Sequence, residues 1–233
     1  MEWSKWWAEF VKYMFTNNGY KKVLDGLLKT VEIAVFGLII GIVIGTLIAI
    51  IRVMPKYNAF AKILDKISTI YVAFFRGTPM VVQLLIFHYV LFPILGIHID
   101  SVVEALLTFG LNSGAYVSEI MRGGINSVDK GQMEAGRAMG LTFWASMLKI
   151  VIPQAVKNIL PTLGNEFISL LKETSVVSFI GVTDLYRVFQ QCGGKIGSYI
   201  IPYIALAIIY ILMIVLITLL IRSLERRFKK NER

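Results

Sequence analysis

The sequence predicts an all-α integral membrane protein with about five transmembrane helices. Three observations carry this. Apolar residues fall in long runs and not in amphipathic stripes, and 56% of the 233 residues are hydrophobic. Charged residues make up 17% of the chain, below the roughly one quarter usual for a soluble domain. The mean hydropathy is +0.69, which points to lipid as the solvent. A net charge of +9 raises nucleic acid as a partner, but the basic residues sit between and after the apolar runs, where orientation signals belong. No nucleic-acid partner is expected.

In chain order, the first segment is MEWSKWWAEFVKYMF, which lacks the apolar region and small-residue cleavage site of a signal peptide. Trp3, Trp6, Trp7 and Phe10 fit an amphipathic segment at the membrane surface, over residues 1–29; a disordered tail is the competing reading. A span needs about 20 mostly apolar residues. Val31–Ile51 and Ile201–Ile221 meet this cleanly. Ile67–Phe92 carries Arg76 and Pro79, Val102–Met121 carries Glu104 and Glu119, and Ile150–Leu171 carries Pro153, Lys157, Pro161 and Glu166. Five spans put the termini on opposite sides. With the C-terminus inside, inner segments hold fourteen Lys and Arg against eight outside, although five of those eight precede the first span. The expected topology is therefore an extracytoplasmic N-terminus, a membrane domain over residues 30–222, a cytoplasmic loop over 122–149 and a basic cytoplasmic tail over 223–233.

Two spans repeat small residues every fourth position: Gly37, Gly41, Gly45 and Ala49, then Gly110, Gly114 and Ser118. That spacing cuts a groove along one helix face, into which a neighbouring helix fits closely.

Enzyme chemistry has little to stand on. Two histidines, His88 and His98, and a lone cysteine, Cys192, offer no transition-metal cluster and no disulfide. The stretch Cys192-Gly193-Gly194-Lys195-Ile196 lacks the leading glycine and the Ser/Thr of a phosphate loop, and reads better as a flexible surface turn. Any ATP used here must be hydrolysed by another chain.

The loop GGINSVDKGQMEAGRAMGLTFWASMLKIVIPQA is the most informative segment. Ile125 to Met139 lacks proline and suits a short helix capped by Asn126 or Ser127. Gly140 suits a left-handed terminator, and Leu141-Thr142-Phe143-Trp144 starts a second helix that leads through Pro153 into the membrane. Such a helix offers a knob for a partner's groove; a solvated connection is the competing reading.

Glu134-Ala135-Gly136, Gly140 and Ile152-Pro153 resemble the "EAA" loop of permease subunits of bacterial ABC importers, with Gly136 where many members carry alanine. Phe75-Arg76-Gly77-Thr78-Pro79, Asn112-Ser113-Gly114-Ala115-Tyr116 with Glu119-Ile120 and Arg122-Gly123-Gly124-Ile125, and Asn165-Glu166-Phe167 with Lys172-Glu173-Thr174-Ser175 narrow the resemblance to permeases for polar amino acids. It runs from about Leu28 to Glu225. It implies the type I ABC importer permease fold in a bacterial cytoplasmic membrane. It also implies a second permease copy or paralogue, two ATPase subunits that bind ATP and Mg, and an extracytoplasmic amino-acid-binding protein; this chain itself would hold no cofactor. By residue, Glu134, Ala135, Gly136, Gly140 and Pro153 fall in the ATPase-coupling loop.

A charge inside the bilayer costs at least about 2.5–3.5 kcal/mol and needs a cavity or a partner. Arg76, Glu119 and Glu166 are either paired structurally or line the route of a zwitterion. Pro153, Pro161 and Gly164-Asn165 are expected to break the fourth span and free backbone groups, as transport sites do. Asn112, Tyr116, Glu166, Glu173, Thr174 and Ser175 are the candidate lining, although Lys172-Glu173 fits an outer membrane boundary as well. A secondary transporter or a channel for small polar solutes is the other class in play; the former would show a longer chain of repeated halves, the latter no docking loop.

Overall fold

The computed structural model describes residues 3–16 and 18–230, and every regular element among them is helical. Helix α1 spans Trp3–Phe15, α2 Gly19–Val53 and α3 Ala59–Gly77. Next come α4, Met80–Ile86, a π turn at Phe87–Leu91 and α5, Phe92–Ile94. Helix α6 is Ser101–Asn126, α7 Lys130–Ala138 and α8 Phe143–Ser146; a second π turn, Met147–Val151, leads into α9, Ile152–Glu173. A 3-10 segment, Thr174–Ile180, precedes α10, Leu185–Ile196, and α11, Ile200–Lys230.

Among the described residues, two helices are long and apolar enough to cross a membrane alone: α2, and α11 over Ile200–Ser223. Helix α2 starts at Gly19, twelve residues before the apolar run does. Helices α3 and α4–α5 pass that test only as a pair. The stretch expected as one span, Ile67–Phe92, is thus two helices. Thr78 is extended (φ −122°, ψ 145°) because the ring of Pro79 excludes the α region for the residue before it. Helix α9 corrects the opposite expectation. It runs unbroken through Pro161, Gly164 and Asn165, and the irregularity lies upstream, in the wide π turn that ends two residues before Pro153.

The chain divides into two units. Unit 1 comprises Met1–Gly37, Pro79–Phe109 and Ser169–Ile217; unit 2 comprises Leu38–Thr78, Gly110–Ile168 and Thr218–Arg233.

In unit 1, Leu185, Phe189 and Leu206 form a core against Phe10, Met14, Val23 and Leu27. Gly26 of α2 gives α10 its approach, since an ideal Cβ on it would sit 3.0 Å from the Asp184 carbonyl oxygen. Beside it the buried Thr30 hydroxyl accepts the Leu185 N–H at 3.2 Å. Asp184 caps α10, accepting the N–H groups of Arg187 at 2.9 Å and Tyr186 at 3.2 Å. Burial pushes its carboxyl up to about 6 despite those bonds. Cys192 is buried inside α10, and its thiol is pushed up to about 11 by burial, opposed by Lys195. The expected surface turn at Cys192–Lys195 is therefore helix: Gly193 is buried because the ring of Tyr199 lies flush on its backbone.

In unit 2, α2 and α6 interlock through the small residues spaced four apart. An ideal Cβ on Gly41 would lie 2.6 Å from Ser113 Cβ, one on Gly45 2.7 Å from Val117 Cβ, and one on Gly114 2.8 Å from Ile44 Cγ2. Gly110 likewise abuts Ile40, and Ala49 is buried. Backbones this close are what the spacing predicts. Tyr71 of α3 joins the pair, its hydroxyl donating to the Leu111 carbonyl.

Candidate functional site

The loop in unit 2 is built from α7 outward. Asp129 begins it, its carboxylate accepting the Gly131 N–H at 2.6 Å. The cap is thus neither Asn126 nor Ser127, which α6 and the turn after it absorb. The aspartate takes the cap because it stands immediately before α7, which starts at Lys130. At the other end Gly140 takes φ +84°, and the N–H groups of Gly140 and Leu141 reach back to the carbonyls of Arg137 at 3.0 Å and Gly136 at 3.1 Å. These paired bonds close the helix as a Schellman motif. The Arg137 guanidinium donates to the Leu141 carbonyl at 2.9 Å, and Thr142 then caps α8.

Glu134 and Ala135 are exposed on α7, while Gly136 is buried. Two side-chain pairs fasten the loop to α9: Asn158 Nδ2 donates to Ser127 Oγ at 2.7 Å, and Gln154 Nε2 to Gln132 Oε1 at 3.2 Å. Pro153 is exposed at the start of α9. The loop therefore presents an exposed carboxylate and a small residue on a helix fixed at both ends.

Three arginines of unit 2 converge on Glu119 of α6. It accepts from Arg52 of α2 and, at 2.6 Å, from Arg122 one turn along; Arg76 of α3 lies 3.9 Å away, its guanidinium 5.4 Å from the centre of the Tyr116 ring. Three guanidinium groups thus share one carboxylate. A cavity of about 430 Å³ opens beside them, lined by Arg76, Tyr116, Glu119, Ser127, Asn158 and Thr162 among others. The sequence singles out Arg76 and Glu119 as charges that need a partner, whereas Arg52 reads only as an orientation signal and Arg122 as one more, besides its place in the family motif. Their positions at span ends held the missing clue, since a basic residue there can turn back along the helix to a carboxylate.

The other polar residues separate into groups. Asn112 is buried and donates to the Phe75 carbonyl at 3.4 Å; Glu166 is half-buried and accepts from the Ser113 hydroxyl at 3.2 Å. In unit 1, Glu173 is exposed at the end of α9, while the Thr174 and Ser175 hydroxyls donate to the carbonyls three residues back, at 2.8 and 3.3 Å. Unit 1 holds a further pair with no signal in the local sequence: His88 Nδ1 on the buried carboxylate of Glu104.

Comparison with known proteins places this loop and these helices in context. Residues 37–230 match the family of binding-protein-dependent transport system inner membrane components. The arginine transport system permease protein ArtQ of Bacillus subtilis is 39% identical over 210 residues, covering 90% of this chain and 94% of that protein. The glutamine transport system permease protein GlnP of Escherichia coli is 34% identical over 208 residues, covering 89% and 93%. Among solved structures, an amino acid ABC transporter crystallised with histidines aligns with a TM-score of 0.83 at 36% identity, covering 92% of this chain and 98% of that one. A MetNI methionine ABC transporter in an inward-facing conformation shares the fold at a TM-score of 0.74 and 20% identity, covering 88% and 95%. Over nearly its whole length, then, the chain belongs to the family of binding-protein-dependent transport system inner membrane components.

Proposed function

We propose that this chain is the permease subunit of an ATP-driven importer and carries a polar amino acid across the bacterial cytoplasmic membrane. The observation that carries the reading is its likeness, at 36% identity, to an amino acid ABC transporter across almost its full length. The chain crosses the membrane five times, with the N-terminus outside and the basic 223–233 tail inside; α1 lies along the outer surface, and the surface segment expected over 1–29 is shorter because α2 already starts at Gly19. Because α3 and α4 divide at Pro79, the second crossing is a broken one.

The loop over 122–149 faces the cytoplasm and seats α7 in a groove of an ATPase subunit. Exposed Glu134 and Ala135 form the contact, buried Gly136 lets α7 lie close to its own support, and Gly140 and Pro153 set where the contact ends and the membrane helix begins. ATP and Mg stay on the ATPase. A second permease copy or paralogue completes the pathway, and an extracytoplasmic binding protein delivers the amino acid. Arg76, Asn112, Tyr116, Glu119 and Glu166 of unit 2, and Glu173, Thr174 and Ser175 of unit 1, belong to the route. Asn112, Thr174 and Ser175 act there through the backbone they hold.

The test is uptake of labelled amino acid into liposomes carrying the chain, its ATPase and its binding protein. Uptake should need ATP, and Glu134→Lys or Gly140→Val should separate ATP hydrolysis from uptake while membrane insertion stays intact. Uptake without ATP or ATPase would make the chain a secondary transporter or channel, and full coupling in the double variant would sink the role of the loop.

A further inference from the structure

Unit 1 contains a polar cavity of about 440 Å³ that no residue of the proposed route lines. Its walls are His88 and Tyr89 from the first π turn, the end of the 3-10 segment around Phe179, and Tyr186, Arg187 and Gln190 from α10. π turns inside helices recur at functional sites, since the extra residue re-aims side chains.

The charge balance of these walls is one-sided. Arg187 is half-buried, and its Nη1 donates to Gln190 Oε1 at 2.9 Å. Among the described residues it makes no ion pair. Asp184, three residues away and electrostatically linked to it, is buried with its oxygens on the Tyr186 and Arg187 N–H groups. His88 Nδ1 is held by Glu104, a carboxylate behind the wall and not part of it. The titratable groups that do line the cavity are His88, Tyr89, Tyr186 and Arg187, so it presents a guanidinium, an imidazole, phenols and an amide, but no carboxylate. Arginine's planar fork suits a carboxylate in two-point contact. The rings of Tyr89 and Tyr186 offer apolar faces for the rest of a small solute, and Tyr186 is itself braced by stacking on Tyr203, centroids 6.2 Å apart.

We propose that this cavity is an outer station that holds the α-carboxylate of the amino acid on Arg187, with the Gln190 amide as a further donor, before the solute enters the route. The inference rests on the transport reading above, which puts α10 and the 3-10 segment on the extracytoplasmic side.

The experiment places a reporter thiol in the cavity wall. Phe179→Cys in the full chain, in membrane vesicles of known sidedness, is labelled with a charged, membrane-impermeant maleimide. Cys192 is buried and stays silent. For a dissociation constant of about 1 mM, about 10 mM ligand leaves roughly one cavity in eleven empty, so labelling from outside slows about tenfold. L-Arginine or L-glutamine should slow it, whereas L-argininamide, whose carboxylate is replaced by a neutral amide, should not. Adding Arg187→Gln should abolish the slowing. Arg187→Lys, which keeps the charge, should retain part of it, separating loss of the cation from loss of the fold. No slowing, equal slowing by the amide, or slowing that survives Arg187→Gln overturns the proposal. Equal slowing by acetate overturns its assignment to an amino acid. Labelling only from the cytoplasmic side would instead overturn the orientation on which it rests.

Discussion

Gly136 meets Ser146 with no room for a side chain between them: an ideal Cβ on the glycine would lie 2.7 Å from the serine Oγ and 2.8 Å from Ile150 Cδ1. Helix α7 therefore lies on the following helical stretch through bare backbone. The methyl of an alanine at this position would press on a buried hydroxyl.

Substitution at Gly136 should reveal that contact in graded form. Gly136→Ala asks only that Ser146 and Ile150 shift, and should cost about 1 kcal/mol; Gly136→Leu must lift α7 away and should cost about 3 kcal/mol. Thermal unfolding in detergent gives the stabilities. Limited proteolysis within 130–142 should accelerate for the leucine variant alone.

Glu119 should matter more than any one of its partners. Glu119→Gln leaves three guanidinium groups facing one another and should cost roughly 2 kcal/mol, between the values for exposed and buried pairs. Arg76→Gln should cost well under half as much, because Arg76 stands 3.9 Å off and is nearly half exposed. Equal losses from the two variants would mean that Arg76 is the true anchor.

The interlocked glycines predict opposite signs for two superficially similar changes. Gly45→Leu drives a side chain into Val117 and the Ser118 backbone nitrogen, and should cost several kcal/mol or prevent folding. At Gly123, also helical, an added Cβ meets nothing within 4 Å. Gly123→Ala should therefore stabilise the chain by about 0.5–1 kcal/mol through the helix preference of alanine. Size-exclusion profiles and melting temperatures distinguish the two.

Asp184 predicts a pH dependence. Its carboxyl is raised in the folded chain from 3.8 to about 6, so its contribution to stability is fully present below pH 3.8 and is lost as pH rises through about 6. Asp184→Asn keeps the helix cap without the titration. The difference in melting temperature, native minus variant, should therefore shift in favour of the native chain on going from pH 7 to pH 4.5. A difference that is flat with pH would mean the carboxyl is solvated.

What could be read before the structure was known follows how local each signal is. The small residues at 41, 45, 110 and 114 announce a close helix pair because the spacing alone fixes which face they share. Gly140 was legible as a left-handed terminator for the same reason: one residue type and its immediate neighbours suffice. The ring of arginines on Glu119 was not, because Arg52 and Glu119 are 67 positions apart and nothing in either neighbourhood names the other. Proline misled in both directions. Pro79 ends a helix and divides what read as one apolar run, whereas Pro161 sits inside α9 without breaking it, because surrounding packing decides whether a helix tolerates the lost bond. Asp129 is the cap in place of Asn126 or Ser127 because α6 runs on through Asn126 and Ser127 lies in the turn after it, an extent that the local sequence does not announce.

The ties from Ser127 to Asn158 and from Gln132 to Gln154 have a mechanical meaning. A loop hinged only at its ends would yield under load and dissipate a push as local bending. Cross-braced to α9 at two points one helical turn apart, it behaves as the short arm of a crank, and α9 is the shaft. On the coupling role proposed above, stiffness between arm and shaft, more than affinity at the tip, sets how much of a partner's stroke reaches the far end of the shaft.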